Sequence, residues 1–380
     1  MKKRKIAFCL RDMQVGGVEF VLLRMMEELL RRGDTEIVLL TYVDITEPVF
    51  VKWFEQHPQV KCYTLYPCKW LGTKLKRFFL VRIVQHLMRD VYRWFKRVAI
   101  AQHKLSDVDL FVDFYDFGFK SELRNIKQPK IVWWHSSVNK FIGCGCVKHI
   151  HVYDKLIALT DGFAEEFKEK WPQYADKVMR IYNPVNVANI VERMDKGEEF
   201  PGEYFVKVAR LSMDKDIVTV LNAFNLFWVE NNQPDVRMVF VGGGEIEKYR
   251  EIADKCAAAK NIIFVGAKSN PFSYMRGALA NILSSYSEGM GMVLIEAMAV
   301  GTLNIASDCK NGPREILMGG EAGLLFVPGD SRALANHMAD VWHKKIPVQQ
   351  MIDNATNSLD RFDSGKIVDQ VIDLFKCYGV

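Results

Sequence analysis

The sequence predicts an α/β protein of two doubly wound domains, each built on a parallel β-sheet. Its 380 residues are too many for one typical domain and suit two. Strand-like and helix-like stretches alternate over residues 5–42 and again over 204–266, as is typical of parallel sheets. Between these halves, residues 192–202 are highly charged and end in Pro-Gly, which indicates a domain boundary. We expect a ligand cleft between the two domains.

Composition predicts a cytoplasmic globular protein. Apolar residues make up 49% of the chain and charged residues 26%, as in ordinary soluble domains. The eight cysteines are scattered along the chain, which favours a reducing compartment. The apolar run 6–10 is too short for a signal peptide. No stretch approaches the roughly 18 apolar residues that a membrane-spanning helix needs.

The first domain is predicted to begin with a βαβ unit. Residues 5–10 form a buried strand, 18–32 an amphipathic helix that a glycine ends, and 36–42 a second strand. The turn after the first strand carries Gly16 and Gly17, but it lacks the G-x-G-x-x-G of dinucleotide-binding proteins. Without a family resemblance, this turn fits a plain strand-to-helix connection.

The rest of the first domain is predicted to continue the same alternation. Its later elements are strands over 107–117, 130–135, 155–160 and 178–184, and a helix with Asp161 as its N-cap. His135 ends the second of these strands. Because ligands bind at the carboxyl edge of an open parallel sheet, His135 is a candidate site residue, although a lone histidine is more often structural. Residues 51–104 show the least regular pattern, with helix predicted from about residue 73.

The second domain repeats the pattern and places charge at one sheet edge. Its predicted strands cover 204–210, 236–241 and 261–266, and its predicted helices cover 217–230, 245–260, 331–345 and 360–380. Arg210 and Lys215 follow the first of these strands, and a glycine triplet centred on Gly243 follows the second. These two cations could bind an anionic ligand at the sheet edge, or they could be ordinary solvated surface residues.

Two glutamates flank a glycine loop that leads into a predicted helix. Glu288 begins the loop Glu288-Gly289-Met290-Gly291, and Glu296 lies about one turn into the helix over 292–300. A glycine loop at a helix N-terminus favours anions, because its N–H groups are unpaired and the helix dipole is positive there. Carboxylates beside such a site are best explained as acceptors for neutral hydroxyl groups on either side of a diphosphate. The alternative is two solvated acids, because this spacing alone is a weak signal.

These motifs together resemble a known enzyme family. Glu288 and Glu296 have the E-x7-E spacing of retaining glycosyltransferases of family 4, and Arg210 and Lys215 resemble the R-x4-K pair of that family. The run over 307–325 is similar to it as well. The resemblance covers nearly the whole chain and is most specific between residues 210 and 330. It implies the GT-B fold, in which two Rossmann-like domains face a central cleft.

The resemblance also implies an activity and a role for each site residue. We expect transfer of a sugar from a nucleotide diphosphate donor, UDP-linked, to a glycan or lipid-linked acceptor, with retention of anomeric configuration and without a metal or other cofactor. Arg210 and Lys215 would stabilise the departing diphosphate, Glu288 would bind donor-sugar hydroxyls, and Glu296 would bind the ribose diol. His135 would hydrogen-bond near the reacting sugar. The other expected donor-binding residues are Gly16, Gly17, Gly243, Gly289, Met290, Gly291, Met292 and Val293.

The family pattern also assigns the domains. Residues 1–192 would form the acceptor side, 203–359 the nucleotide-sugar side, and 360–380 a helix that returns to the first domain. Two other functions remain open: a sugar-nucleotide epimerase or hydrolase of the same fold, and a non-catalytic binder of sugar nucleotides or polysaccharide. The basic pair and the glutamate pair together disfavour a binder, since a binder needs no cations matched to a leaving group.

One segment carries most of the positive charge. Residues 69–104 contain ten Lys or Arg and one acidic residue, a net charge of +9 in a chain of net charge +5. Because aromatic residues lie among the basic ones, we expect docking on an anionic membrane, which would place the protein on the inner face of that membrane. The alternative is a helix whose apolar side packs on the first domain. Nucleic acid is not an expected partner, because no recognition motif accompanies the charges.

A short cluster of Cys and His suggests zinc but does not fit it well. Cys144, Cys146, His149 and His151 are closer in sequence than the ligands of common structural zinc sites. We therefore predict no metal site.

Overall fold

The described residues form two compact units in a computed structural model. The structure describes residues 3–14, 16–65, 88, 91, 95, 105–198 and 200–379. Unit 1 comprises Met1–Ala158, Phe167–Ile181 and Ile367–Val380, and unit 2 comprises Leu159–Glu166 and Tyr182–Lys366.

The described strands and helices alternate along the chain. The strands are β1 (Arg4–Leu10), β2 (Thr35–Thr41), β3 (Lys61–Thr64), β4 (Leu110–Asp113), β5 (Lys130–Trp134), β6 (Lys155–Ala158), β7 (Val178–Arg180), β8 (Glu203–Val208), β9 (Val236–Val241), β10 (Ile262–Gly266), β11 (Ala280–Leu283), β12 (Asn304–Ser307) and β13 (Leu324–Phe326). The α-helices are α1 (Gly17–Arg32), α2 (Pro48–Gln56), α3 (Lys120–Leu123), α4 (Val138–Gly143), α5 (Asp161–Lys170), α6 (Val187–Met194), α7 (Ile217–Glu230), α8 (Ile246–Ala253), α9 (Phe272–Arg276), α10 (Met292–Ala299), α11 (Pro313–Ile316), α12 (Ser331–Trp342), α13 (Val348–Asn357) and α14 (Ser364–Lys376).

Unit 1 is built on a seven-stranded sheet with the strand order β3-β2-β1-β4-β5-β6-β7. All of its strand pairs are parallel, and Ile6 of β1 pairs with Ile37 of β2 on one side and Leu110 of β4 on the other. Strand β1 is fully buried from Ile6 onward, as its unbroken apolar run predicted. The predicted end of α1 is also confirmed: Gly33 adopts a left-handed φ of 79°, a conformation that glycine adopts without steric cost.

Unit 2 is built on a six-stranded parallel sheet with the order β10-β9-β8-β11-β12-β13. The chain moves outward from β8 through β9 to β10 and then returns to place β11 on the other side of β8. The gap between β8 and β11 is therefore the topological switch point, where open α/β sheets bind ligands at the carboxyl ends of their strands. The predicted fold class of two doubly wound parallel-sheet domains is confirmed.

Several local predictions were wrong. Residues 51–65 are regular rather than irregular: they include most of α2, which has Pro48 at its start, and all of β3. Asp161 is not the N-cap of α5 but its first residue. The hydroxyl of Thr160 instead accepts from the N–H of Phe163 at 3.2 Å and so caps the helix. The short helices α9 and α13 were not predicted. Helix over 73–104 and the membrane-docking surface fall almost wholly outside the described residues.

The long segment of unit 2 begins at Tyr182, ten residues before the expected boundary. The reason is α6, which begins before the charged stretch and packs on α9 and α10 of unit 2. At the other end, residues from Ile367 onward belong to unit 1, where Asp369 forms an ion pair with Arg32. In the described part of the chain, no helix has both the length and the apolar character needed to span a bilayer.

Candidate functional site

An ion pair bridges the switch point of the unit 2 sheet. Lys215 follows β8 and Glu288 follows β11, and their Nζ and Oε1 atoms are 2.6 Å apart. Both side chains are largely shielded from solvent, with 23% and 14% of their surfaces exposed. Ser285 donates to the same Oε1 at 2.6 Å. Two residues separated by 73 positions in the sequence thus meet at the sheet edge where ligands are expected.

The glycine triplet after β9 packs against the turn that carries Arg210. Gly242 has a φ of 152°, and a Cβ there would lie 1.8 Å from the carbonyl oxygen of Ala209. A Cβ on Gly244 would lie 2.4 Å from the carbonyl oxygen of Leu211. These two glycines are explained by close backbone packing, whereas Gly243, whose nearest neighbour would be 3.7 Å away, leaves room beside it. Arg210 is exposed and forms no ion pair with another described residue.

The predicted glycine loop ends where α10 begins. Gly291 is the N-cap of α10 with a φ of 93°, so the N–H groups of Met292 and Val293 are the first of the helix. The other side of the loop is fixed by Gly312, where a Cβ would lie 2.2 Å from the carbonyl oxygen of Met290. Glu296 lies one turn further along α10 and is half-buried. The loop and helix start are therefore rigidly positioned beside the Lys215–Glu288 pair.

The sequence run over 307–325 makes polar contacts of its own within unit 2. The carboxylate of Glu315 accepts from the backbone N–H groups of Asp161 and Gly162, at 3.0 and 3.2 Å, and from the hydroxyl of Tyr182 at 2.7 Å. Asp308 forms an ion pair with Arg314. Cys309 is buried, and burial, with the charge of Glu288, raises the pKa of its thiol to about 12. Cys309 is thus an uncharged thiol at neutral pH and not a nucleophile.

A buried lysine lies beneath the ion pair, and the sequence analysis missed it. Lys207 in β8 is 1% exposed, and its Nζ donates to the hydroxyl of Ser284 at 2.8 Å. Burial, and then repulsion by Lys215, lower the pKa of Lys207 to about 7. One signal could have revealed it: a single lysine within the apolar run of β8, Glu203–Val208.

In unit 1, His135 lies at the carboxyl end of β5, as its position in the sequence predicted. Burial lowers the pKa of His135 to about 4, so its ring is neutral at physiological pH. Both ring nitrogens are buried and have no hydrogen-bond partner among the described residues. The backbone N–H of His135 donates to Asp116 at 2.6 Å, and the hydroxyl of Ser136 donates to the other oxygen of Asp116 at 2.8 Å. A neutral ring of this kind can donate one hydrogen bond to a substrate hydroxyl and accept one from another.

Gly16 and Gly17 also lie at this edge of the unit 1 sheet, after β1. Gly16 is the N-cap of α1, and a Cβ there would lie 2.6 Å from Oε2 of Glu19. Burial raises the pKa of Glu19 to about 7. Gly17 has open space where a side chain would stand. Like His135, these residues belong to unit 1, whereas Arg210, Lys215, Gly243, Glu288 and Glu296 belong to unit 2.

The Cys and His cluster near residue 146 forms no metal centre in the described structure. Among the residues that the structure describes, no three or more His, Cys, Asp or Glu side chains are grouped as metal ligands. Cys144 and Cys146 are free, as are the other five described cysteines.

The family of the unit 2 sequence follows from comparison with known proteins. The profile of the family "Glycosyl transferases group 1" matches residues 191–358. This range includes Arg210, Lys215, Glu288 and Glu296 and all six strands of the unit 2 sheet. Residues 191–358 belong to the glycosyl transferases group 1. The resemblance to family-4 glycosyltransferases that the motifs indicated is confirmed over this range.

Curated relatives match this chain over part of their length. EpsD of Bacillus subtilis (strain 168), named as a glycosyltransferase, is 30% identical over 190 residues, which cover 49% of each protein. The lipopolysaccharide 1,6-galactosyltransferase of Salmonella typhimurium is 25% identical over 240 residues, covering 60% of this chain and 62% of the relative. The chain thus spans about half to three fifths of the length of these relatives.

Solved structures share the fold over nearly the whole chain. HepE of Anabaena, crystallised in complex with UDP, superposes with a TM-score of 0.77 at 18% identity and covers 98% of this chain and 100% of its own. The structure of HepE in complex with UDP-glucose gives a TM-score of 0.76 at 18% identity, and the match covers 98% of this chain and 99% of HepE. The predicted GT-B fold is therefore confirmed.

Proposed function

We propose that this protein is a retaining glycosyltransferase of the hexosyltransferase type, which transfers a sugar from a UDP-linked donor to a glycan or lipid-linked acceptor. The observation that carries this proposal is the Lys215–Glu288 ion pair at the switch point of the unit 2 sheet, beside an exposed arginine and a helix N-terminus. The name of the Salmonella relative and the UDP-glucose complex of HepE support the choice of donor and of reaction.

The residues of unit 2 suit the charge changes of this reaction. As the bond from C1 of the sugar to the diphosphate breaks, negative charge grows on the diphosphate. Lys215, Arg210 and the first N–H groups of α10 supply positive charge that stabilises this leaving group more strongly than the bound donor. The acceptor oxygen forms its bond to C1 on the same face, and the departing diphosphate oxygen takes the acceptor's proton.

Hydrogen-bond acceptors and donors define the sugar positions. Glu288 binds hydroxyls of the donor sugar and so exchanges part of its contact with Lys215 for substrate contacts. Glu296 binds the ribose diol. The remaining donor contacts come from Gly16, Gly17, Gly243 and the loop from Gly289 to Val293. His135 provides a neutral hydrogen-bonding ring near the reacting sugar, and Asp116 holds it by its backbone.

We assign the acceptor side to residues 1–192 and the donor side to 203–359, and we place the protein on the cytoplasmic face of a membrane. The free cysteines suit a reducing compartment. Within the basic segment 69–104, the described helical residues Met88, Val91 and Phe95 expose 50%, 55% and 61% of their surfaces. These exposed apolar side chains suit insertion among lipids. Such docking would bring a lipid-linked acceptor to the enzyme in the synthesis of a surface polysaccharide.

A donor screen followed by turnover tests the proposal. UDP-glucose, UDP-galactose, UDP-N-acetylglucosamine and GDP-mannose are compared by thermal shift, because a donor that binds only the folded protein raises its melting temperature. The donor that binds is then incubated with the enzyme, with and without a membrane extract as acceptor source. Release of nucleoside diphosphate that depends on the acceptor supports a transferase. Equal release of nucleoside diphosphate without acceptor would favour a hydrolase. Isomerisation of the donor sugar would favour an epimerase, and binding of the donor without turnover would favour a non-catalytic binder.

A further inference from the structure

We infer that Lys207 is a positioning residue of the proposed donor site, and that it takes up a proton when the diphosphate of the donor binds. This inference rests on the proposed function and adds a residue that does not itself touch the donor. Lys207 occupies a costly place: its ammonium is buried in a strand where an apolar side chain would pack without loss of hydration. Because a buried lysine does not favour folding, we expect it to have a functional role.

The hydrogen bonds of Lys207 lead directly to the ion pair. Its Nζ donates to the hydroxyl oxygen of Ser284, which lies 2.9 Å from the carbonyl oxygen of Lys215 and 2.8 Å from that of Asp216. Asp216 has a left-handed φ of 43°, which is unfavourable for a residue with a side chain and needs such support. Lys207 therefore fixes, through one hydroxyl, the turn that carries Lys215.

Two consecutive serines after β11 thus hold the two halves of the ion pair. Ser284 links Lys207 to the backbone of Lys215, and Ser285 donates to the carboxylate of Glu288. A change in the protonation of Lys207 would reach the backbone of Lys215 through two hydrogen bonds, and Glu288 through the peptide bond between the two serines and the hydroxyl of Ser285.

The charges around Lys207 place its titration near neutral pH. Burial lowers its pKa first and repulsion by Lys215 second, while the carboxylates of Glu288, Asp216 and Asp214 act in the opposite sense. The balance leaves the pKa at about 7, so the empty site holds Lys207 partly neutral at pH 7 and mostly neutral at pH 8.

A bound diphosphate would raise the pKa of Lys207. A single negative charge ~8 Å away, at an effective dielectric constant of about 20, raises the pKa of a lysine by about 1.5. A nucleoside diphosphate carries more than one such charge, so the bound state protonates Lys207 at pH 8. Binding of the diphosphate therefore takes up a proton. By linkage, the affinity for the diphosphate falls as the pH rises from 7 to 9.

Calorimetry of UDP binding in two buffers of different ionisation enthalpy measures this proton. The titration is run at pH 8, where the phosphates of UDP are already ionised, with inorganic pyrophosphate as a second probe. We expect uptake of roughly 0.5 to 0.9 proton per UDP in the unchanged protein, by linkage. Lys207→Met removes this uptake and flattens the pH dependence of affinity, which otherwise changes by up to about tenfold per pH unit. The control Lys255→Met, at an exposed lysine of the same unit, retains both.

The possible outcomes distinguish a failure of the proposed donor site from a failure of the role proposed for Lys207. If the unchanged protein and Lys207→Met bind UDP with the same proton uptake, Lys207 has no such role, although the donor site stands. If the unchanged protein binds neither UDP nor pyrophosphate, the proposed function is wrong and this inference with it. If Lys207→Met does not fold, the unchanged protein alone decides, since binding of UDP at pH 8 without proton uptake would overturn the inference.

Discussion

The ammonium of Lys215 and the carboxylate of Glu288 share one contact at 2.6 Å, and the hydroxyl of Ser285 donates to the same carboxylate oxygen. The pair neutralises both charges while no donor is bound. A donor diphosphate would compete with Glu288 for Lys215, and donor-sugar hydroxyls would compete with Lys215 for Glu288. Substrate binding and rearrangement of this pair are therefore expected to be one event.

Loss of the Lys215 charge should lower turnover much more than donor affinity. Lys215→Ala is expected to reduce kcat by ~10²- to 10³-fold with a smaller change in KM, because the positive charge acts mainly on the leaving diphosphate. Steady-state kinetics with the donor identified by thermal shift measure both constants. A raised KM with an unchanged kcat would mean that Lys215 binds the ground state and the transition state equally.

The same substitution leaves Glu288 without its partner, so a double variant is the matched control. Lys215→Ala with Glu288→Gln removes the unpaired negative charge that would repel the donor. If the double variant recovers the kcat of the unchanged protein, the defect of Lys215→Ala came from the exposed carboxylate and not from the lost cation.

The two glutamates should differ in their effect on bare nucleotide. Glu296→Gln is expected to weaken UDP binding, because a neutral amide is a poorer acceptor for both hydroxyls of a ribose diol. Glu288→Gln should leave UDP binding intact and weaken binding of the complete UDP-sugar. Isothermal calorimetry with UDP and with the UDP-sugar separates the two. Equal loss of UDP affinity in both variants would contradict the separate assignments.

A methyl group at Gly242 should unfold the turn that carries Arg210. In Gly242→Ala the new Cβ would lie 1.8 Å from the carbonyl oxygen of Ala209, so the backbone must shift. We expect a loss of more than about 3 kcal/mol in the free energy of unfolding, by overpacking against backbone, and weaker UDP binding. Gly266→Ala is the control, because Gly266 also has a positive φ, 76°, but has nothing within 4 Å of a Cβ.

Chemical denaturation of both variants tests this difference. Gly266→Ala should cost about 1–2 kcal/mol from its left-handed backbone alone. If Gly242→Ala costs no more than Gly266→Ala, the turns after β8 and β9 are not in the close contact described above.

The segment 69–104 should bind anionic vesicles in a salt-dependent way. The protein is expected to sediment with anionic vesicles at low salt and to remain in the supernatant with neutral ones, because each basic residue near such a surface contributes about 1 kcal/mol. The binding should be lost near 0.5 M salt, where the Debye length is about 4–5 Å. Phe95→Glu with Val91→Glu should weaken it, because charged residues replace two exposed apolar ones. Equal recovery in the supernatant with and without anionic lipid would favour the packed helix.

The local pattern of the sequence was enough to predict the fold class and the motifs of the site. Apolar runs such as residues 6–10 of β1 and 238–241 of β9 predict buried parallel strands, and the α7 range was predicted correctly to the residue. The glycine loop before α10 could be located because glycine, helix pattern and acid fall within a few residues of each other. Each of these signals is local, so it can be read without knowing what packs against it.

Only the tertiary structure decided which distant residues meet. Lys215 and Glu288 pair because β8 and β11 are neighbours in the sheet, and neither strand contains information about the other. The long segment of unit 2 begins at Tyr182 rather than at the charged stretch, because the partners of α6 lie about 80 to 110 residues further along the chain. Lysine is usually a surface residue. Lys207 is buried only because other strands and helices cover it in the folded protein. Burial and charge interaction depend on three-dimensional neighbours, and these follow from the strand order rather than from the local sequence.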